Sequence, residues 1–341
     1  MAKVNLDGKY PCMSNWVTLR RADNGGIIVR NCAINEEMEL SEREARYLKS
    51  LNGNRDIYKI KGFSYDECME YYEHLNENLL IRDSGRIVDL DGAYIYTLYI
   101  PNRKSTNSII PKILNLLLMI TFFPVLIYGV YLFIHYGVNL GEDNFFLNLI
   151  LGYILGIGVG GVLHECAHAC ASLSYTGRFF EAGVMMTGFM PGAYVMTDET
   201  NIDNILKKVQ IHMAGIEMNL LLAGVMMILM VKANWLSGCK MAMFYIMTQN
   251  IFIALFNIIF ADGLDGEHAI SSLLGGPIVD AAKANIEQMT TREKRSEYFS
   301  ETGCVNGIAN ICTSILIMGF QFLNPIFILA SIGILIGGLF I

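Results

Sequence analysis

Charged residues are scarce in this chain of 341 residues. Asp, Glu, Lys and Arg make up 17% of it, whereas apolar residues make up 53%. Soluble globular proteins carry about 25% charged residues, so this shortage favours a protein that spans a membrane. The formal net charge is −7, which argues against a nucleic-acid partner, since binding to nucleic acid needs a basic surface.

Two further signals are missing from the sequence. A secretory signal peptide needs an apolar run, but Lys3, Asp7 and Lys9 interrupt the first residues after Met1. We therefore expect the N-terminal part to remain in the cytosol. The eight cysteines include no Cys-x-x-Cys pair, which argues against a disulfide framework and predicts reduced thiols.

Residues 1–100 predict a small α+β domain. Strand-like runs at 16–21 and 27–30 are followed by capping boxes at Ser41–Glu44 and Ser64–Glu67, which predict that two helices begin there.

A second hairpin is predicted from residues 79–81 and 86–88, on either side of a Ser-Gly turn. Strands, two short helices and a closing hairpin are typical of a winged-helix domain. A plain folded cap and a DNA-binding winged helix remain open as alternatives, although the acidic balance argues against DNA.

Beyond a polar linker at 101–108, residues 109–341 are mostly apolar and predict a membrane domain. The apolar stretch 182–196 is broken by Gly and Pro, so it predicts a re-entrant or interfacial hairpin. The expected fold is therefore mainly α-helical, with about six transmembrane helices and this hairpin. The predicted spans are 109–136, 145–173, 211–231, 241–261, 307–322 and 325–341.

The distribution of basic residues predicts the orientation of these spans. With six spans, the basic residues at 103–104, 207–208 and 292–295 all fall on one side of the membrane. The positive-inside rule assigns that side to the cytosol. The motif at 164–168 lies at the cytosolic end of its span, within reach of water.

That motif, His164-Glu165-Cys-Ala-His168, predicts a metal centre. A helix places the two histidines about 40° apart around its axis, where their imidazoles can share one ion. Glu165 lies beside them and can act on water at the metal. An acid within an apolar span is also expensive, which marks Glu165 as a functional residue.

A third protein ligand is needed to complete such a centre. The end of the fourth predicted span offers four candidates close in sequence, Asp262, Asp265, Glu267 and His268. Asp265 ends an apolar run, and the glycine that follows it allows close approach of the backbone.

These motifs resemble the site-2 protease family of intramembrane zinc metalloproteases. The family pairs a membrane-embedded His-Glu-x-x-His with Asn-x-x-Pro-x-x-x-Leu-Asp-Gly, and residues 257–266 match that spacing with Phe260 in place of the proline. Residues 214–219 are similar to a second family motif, with Ile216 in place of its proline. The matching core covers about 146–270.

The resemblance implies a zinc endopeptidase. It assigns Zn²⁺ to His164, His168 and Asp265, with Glu165 as the catalytic base. Asn219 and Asn257 would bind the substrate strand or steady an oxyanion, although hydrogen bonding between helices is the open alternative for both.

Residues 10–90 resemble the PqqD-like peptide-recognition domain of enzymes that mature ribosomal peptides, especially in Ser41–Gly53. This resemblance implies a small ribosomal precursor peptide as substrate, alongside a peptide-modifying enzyme and a separate exporter. We expect an integral protein of a bacterial plasma membrane. The alternatives are a protease that cleaves a membrane-anchored transcription regulator, and a non-catalytic peptide receptor or immunity protein.

Overall fold

The chain forms two compact units. One comprises Met1–Ser105 and Arg178–Asn201, and the other comprises Thr106–Gly177 and Ile202–Ile341. The computed structural model describes residues 11–319, with the exception of 15, 23–25, 32–35, 52–56, 59, 79, 84–87, 91–92, 100–108, 141–144, 188–189, 200–201, 260–262 and 277.

The first unit begins with short strands and two helices. Its elements in chain order are β1 (Pro11–Met13), β2 (Val17–Arg21), β3 (Ile27–Asn31), β4 (Glu36–Leu40), α1 (Glu42–Ser50) and α2 (Tyr65–Glu77). Strands β2, β3 and β4 form an antiparallel sheet. Both predicted capping boxes are confirmed, because the hydroxyls of Ser41 and Ser64 accept from the amides of Glu44 and Glu67.

The second predicted hairpin is wrong in its pairing. Strand β5 (Ile81–Asp83) pairs with β1, whereas β6 (Val88–Leu90) pairs with β7 (Ala93–Tyr99). The two runs therefore belong to different sheets. Alternation of side chains predicts a strand, but it does not identify the neighbour with which that strand exchanges hydrogen bonds.

The apolar segment 182–196 is confirmed as a hairpin, formed by β8 (Phe179–Thr187) and β9 (Met190–Thr197). Strand β8 also pairs with β7, so the hairpin completes a four-stranded sheet in the order β6-β7-β8-β9. Re-entry of this segment into a bilayer stays a prediction.

The first unit has a buried aromatic and aliphatic core. Trp16, Tyr47 and Leu48 are fully buried, and the ring of Tyr47 lies 5.5 Å from that of Phe63 in an edge contact. Phe180 of the hairpin joins this cluster. Phe180 therefore packs into this core although the first two predicted spans separate it in sequence from the other core residues.

The second unit is helical. Its helices are α3 (Ile109–Tyr136), α4 (Phe145–Tyr153), α5 (Gly160–Thr176), α6 (Ile205–Lys232), α7 (Lys240–Ile258), α8 (Asp265–Leu274), α9 (Ile278–Glu287), α10 (Arg292–Thr302) and α11 (Cys304–Gly319). A π-helical segment, Ile154–Val159, joins α4 to α5. Such segments are frequently found at functional sites.

Within the described residues, four helical stretches are long and apolar enough to cross a membrane, namely Ile109–Tyr136, Phe146–Thr176, Ile205–Lys232 and Trp235–Ile258. The count becomes five if α10 and α11, bent by 117°, form one span. These four stretches match four of the predicted spans closely, but the expected total of about six transmembrane helices is not confirmed. The predicted last span, 325–341, lies outside the described residues.

Glycines allow the helices of the second unit to approach closely. A Cβ on Gly129 of α3 would lie 2.6 Å from the carbonyl oxygen of Gly224 in α6. On the stretch that carries the histidines, Gly152, Gly156 and Gly160 recur every four residues and face α7 in the same way. Small residues at such contacts are typical of packing between membrane helices, where backbones can come close together.

Candidate metal centre

Three of the predicted ligands lie together inside the second unit. His164 and His168 face inward from α5, and Asp265 is the first residue of α8. The Oδ2 atom of Asp265 lies 3.0 Å from Nε2 of His164 and 3.2 Å from Nε2 of His168, and the two Nε2 atoms are 3.1 Å apart. The histidines are only 5% and 6% exposed. These are also the residues that form the one group of three or more potential metal ligands among those described.

Local backbone geometry explains how Asp265 reaches the histidines. Gly263 adopts a φ of +79°, which glycine tolerates best, and α8 begins two residues later. A Cβ on Gly266 would lie 2.4 Å from the carbonyl oxygen of Ile258. Only glycine at 266 therefore allows the start of α8 to pack against the end of α7.

A backbone carbonyl fixes the tautomer of His168. Its Nδ1 lies 2.7 Å from the carbonyl oxygen of Ile211 in α6. Because that oxygen can only accept a hydrogen bond, Nδ1 carries the proton. In the neutral ring, Nε2 then presents its lone pair to the centre.

An amide fixes His164 in the same way. Its Nδ1 lies 2.5 Å from Oδ1 of Asn219, whose Nδ2 donates to Oδ1 of Asn250 at 2.7 Å. The amide oxygen of Asn219 therefore accepts from Nδ1 of His164, and Nε2 is left with a lone pair. A histidine that binds a metal commonly donates its other ring N–H in this manner.

The centre consequently brings three acceptor atoms face to face. Both Nε2 lone pairs and the Asp265 carboxylate converge, and Oδ2 of Asp265 is buried without a hydrogen bond from any described residue. Buried polar atoms in native proteins almost always have a partner. A cation placed among the three atoms supplies that partner, so the residues fit a bound metal ion.

The spacing also suits a small divalent metal. In a tetrahedral zinc site with bonds of about 2.0–2.1 Å, ligand atoms lie about 3.3 Å apart. The observed separations are 3.0 to 3.2 Å. Two imidazoles and one carboxylate form a ligand set used by catalytic zinc, which leaves a fourth position open.

Gly215 of α6 lies directly against this centre. A Cβ at that position would lie 2.4 Å from Nε2 of His168 and 2.5 Å from Nε2 of His164. Any side chain there would occupy the space where the ligand atoms meet. The sequence contains Gly215 within a recognised motif, but the motif alone does not reveal this contact.

The remaining predicted site residues lie in different surroundings. Glu165 is half-buried on α5, directly after the ligand His164 in the chain. Asn257 is half-buried on α7 and donates to the carbonyl oxygen of Ile253. Asn219 contacts His164 and Asn250, as the interhelical alternative expects. A role in substrate binding stays a prediction for both asparagines.

Of the rival third ligands, Glu267 and His268 do not join the cluster. One carboxylate oxygen of Glu267 accepts from Ser271, and the other lies 3.2 Å from Nδ1 of His268. The ring of His268 stacks on that of His212 instead. Asp262 lies outside the described residues.

Sequence reasoning missed Asn250. This residue is fully buried on α7 and contacts Asn219. A signal did exist, because Asn250 is a polar residue in an apolar span and lies two helical turns before Asn257.

No protein-family model matches this chain, and no curated protein or solved structure matches it. The ground for assigning a function is therefore the geometry of the metal centre.

Proposed function

We propose that this protein is an intramembrane zinc endopeptidase whose metal is held by His164, His168 and Asp265. The observation that carries the proposal is the convergence of three buried acceptor atoms, with an orphaned carboxylate oxygen among them. The apolar helices around the centre support a site within a membrane. Three protein ligands support a catalytic role, because structural zinc sites are usually closed by four.

A bound zinc ion would lower the pKa of a water molecule and polarise a peptide carbonyl. Glu165 follows His164 on the same helix and is the base of the proposed reaction. Its carboxylate takes a proton from the attacking water and returns it to the leaving amine nitrogen, so the peptide and water become an acid and an amine. His164 and His168 hold their Nδ1 protons on Asn219 and Ile211, which keeps both Nε2 atoms turned to the ligand site.

The proposed substrate is a small ribosomal precursor peptide, presented in extended form. Strand β9 lies at one edge of the described four-stranded sheet. Such an edge offers backbone groups to an added strand.

The first unit is the proposed recruiter of this peptide. It contains a cavity of about 250 Å³ with a largely basic lining and an apolar contribution from Leu19 and Ile27. A cavity of this character suits a peptide with acidic and apolar side chains. The proposed location is a bacterial plasma membrane, with the first unit and the centre on the cytosolic side.

Metal analysis of the full chain, purified in detergent, tests the centre. We expect about one zinc per chain in the wild type and almost none after His164→Ala combined with His168→Ala. His212→Ala is the matched control, because His212 belongs to α6 but not to the cluster. Zinc retained by the double variant would refute the site. Stoichiometric iron would refute the choice of zinc, since two histidines and a carboxylate also bind Fe(II).

Cleavage of fluorescein-labelled β-casein by the zinc-loaded protein tests the reaction. We expect Glu165→Gln to retain zinc and to lose at least about 100-fold in rate, as removal of a general base commonly does. Glu217→Gln is the control, because Glu217 is a buried carboxylate that bonds to Gln210 instead. Equal rates for wild type and Glu165→Gln would remove Glu165 as the base.

A further inference from the structure

A line of buried hydrogen bonds leads away from His164 and ends on a backbone carbonyl in α7. Nδ2 of Asn250 donates to the carbonyl oxygen of Ile246 at 2.8 Å. Oδ1 of Asn250 accepts from Nδ2 of Asn219 at 2.7 Å, and Oδ1 of Asn219 faces Nδ1 of His164 at 2.5 Å. Three helices, α7, α6 and α5, each contribute one side chain to this line.

The backbone carbonyl of Ile246, at the end of the line, sets the direction of every hydrogen bond in it. The carbonyl of Ile246 has no proton, so the Asn250 amide must turn its NH₂ group toward it. That leaves the oxygen of Asn250 to accept, which turns the NH₂ group of Asn219 toward Asn250. The oxygen of Asn219 then faces His164 and can only accept a hydrogen bond. The ring proton of neutral His164 must therefore sit on Nδ1, where it donates to that oxygen.

If one of the two amides were removed, water could not take its place without a rearrangement of the surrounding structure. Both Asn219 and Asn250 are 0% exposed. A Cβ on Gly160 would lie 2.7 Å from Oδ1 of Asn250, so the glycine in α5 provides the space that the amide fills. A buried amide without its partner would therefore stay unpaired or turn to find another one.

We propose that Asn250 is a positioning residue of the metal centre, which acts through Asn219 to keep the Nδ1–H tautomer of His164. This inference rests on the proposed metal site and adds a residue outside the matched motifs. Without Asn250, the amide of Asn219 is free to turn its NH₂ group toward His164. Nδ1 of His164 must then accept, the ring proton moves to Nε2, and a protonated Nε2 cannot ligate a metal ion.

The affinity for zinc, measured against a chromophoric chelator with the full chain in detergent, tests the proposal without any assay of cleavage. Asn250→Leu has a similar size but no amide, and we expect it to weaken zinc binding by about 10- to 100-fold, the usual effect of losing an outer hydrogen-bond partner. The matched control is Gln249→Leu. Gln249 is a buried amide of the same helix that packs against Gly156, and its replacement should change the affinity by less than about threefold, since no described hydrogen bond joins it to the ligands.

A second variant background distinguishes a positioning role of Asn250 from a role in packing alone. Asn219→Asp replaces the amide by a carboxylate, which accepts from Nδ1 of His164 whichever way it turns. In that background, Asn250→Leu should have less than about a threefold effect on zinc affinity, because the orientation of residue 219 no longer matters. Equal losses in both backgrounds would overturn the proposal and assign Asn250 to packing.

Two further outcomes are decisive. Zinc affinity unchanged by Asn250→Leu in the wild-type background would overturn the positioning role while leaving the metal centre intact. A wild-type chain that binds no zinc would overturn both. If Asn250→Leu does not fold, ¹⁵N NMR of histidine-labelled, zinc-free wild type provides the test: we expect His164 as the Nδ1–H tautomer, and the Nε2–H tautomer would refute the proposal.

Discussion

The two units of this protein differ in which residues they expose and which they bury. In the first unit, large apolar residues such as Trp16 and Leu48 are fully buried, and ion pairs such as Arg43–Glu67 lie at the surface. In the second unit, many large apolar side chains of α3 point outward, and the histidines and asparagines around the metal centre are buried.

This difference shows which force organises each unit. Water drives the apolar core of the first unit together. Within a membrane, an apolar surround would give no such drive to the second unit, whose helices meet at glycines and at buried polar groups as well as at apolar clusters. A change in side-chain volume should therefore lower stability most at buried apolar positions in the first unit and at glycine contacts between helices in the second.

The largest effect is expected at Gly215. Gly215→Ala puts a methyl group 2.4 Å from Nε2 of His168, so we expect the affinity for zinc to fall by at least about 100-fold, since ligand geometry within a few tenths of an ångström is needed. Gly161→Ala is the matched control, because a Cβ on Gly161 meets nothing within 4 Å. The measurement is the chelator competition described for Asn250, and equal affinities of the two variants would contradict the observed placement of Gly215.

Truncation of one leucine in each unit should sharpen the contrast. Leu48→Ala removes a fully buried side chain and should lower the free energy of unfolding of the first unit by about 2–5 kcal/mol. Urea titration in a Trp235→Phe background isolates the signal of the buried Trp16, because these are the only two tryptophans.

Leu116→Ala, in contrast, changes a side chain on α3 that is 55% exposed. We expect a change of less than about 1 kcal/mol in the stability of the second unit, followed by circular dichroism during titration with SDS. A loss as large as that for Leu48→Ala would show that α3 is covered on that face, and the contrast between the units would fail.

The addition of a single methyl group should lower the stability of the second unit where two helices meet at glycines. Gly129→Ala forces a methyl group to within 2.6 Å of the Gly224 carbonyl oxygen and should destabilise the unit by about 1–3 kcal/mol, as overpacking usually does. Gly158→Ala meets open space and serves as the control in the same SDS titration. If the two variants are equally stable, α3 and α6 do not cross as closely as observed.

The smallest effect concerns the surface of the first unit. The hydrogen bond from Arg43 and the bond from the Ser64 backbone lower the pKa of Glu67 from 4.5 to about 2. A lowered pKa means that this contribution to stability is fully present above pH 4.5 and is lost as the pH falls toward 2.

Arg43→Leu should therefore raise the pKa of Glu67 toward 4.5, with a part of the lowering retained because the Ser64 amide still donates. NMR titration of labelled glutamate side chains in the full chain measures it. Arg46→Leu, on the same helix, is the control, since Arg46 bonds to the carbonyl of Glu42 and not to Glu67. An unchanged pKa in Arg43→Leu would contradict the ion pair.

Local patterns predicted much of this fold correctly. The first span was expected at 109–136 and α3 has those bounds, because a long apolar stretch in a membrane satisfies its backbone only as a helix. The two capping boxes begin α1 and α2 for an equally local reason, since each Ser and Glu bond within four residues.

Predictions were weaker wherever the partner lay far away in the chain. The run at 79–81 indicated a strand of a second hairpin, but not that the observed β5 pairs with β1. The segment 182–196 indicated a hairpin but not the sheet that it completes with β7. Strand pairing over such distances depends on how the intervening chain folds back, and no local pattern contains that information.

The candidate metal centre was likewise predictable in its local part and not in its long-range contacts. The sequence by itself determined the His164 and His168 pair, because a helix places residues four apart on one face, and it reduced the third ligand to a few carboxylates and a histidine near 265. Only the tertiary structure selected Asp265, placed Gly215 against the ligands and connected Asn250 to His164. Those contacts join residues of four helices, and distances between helices arise from packing that periodicity along one helix cannot specify.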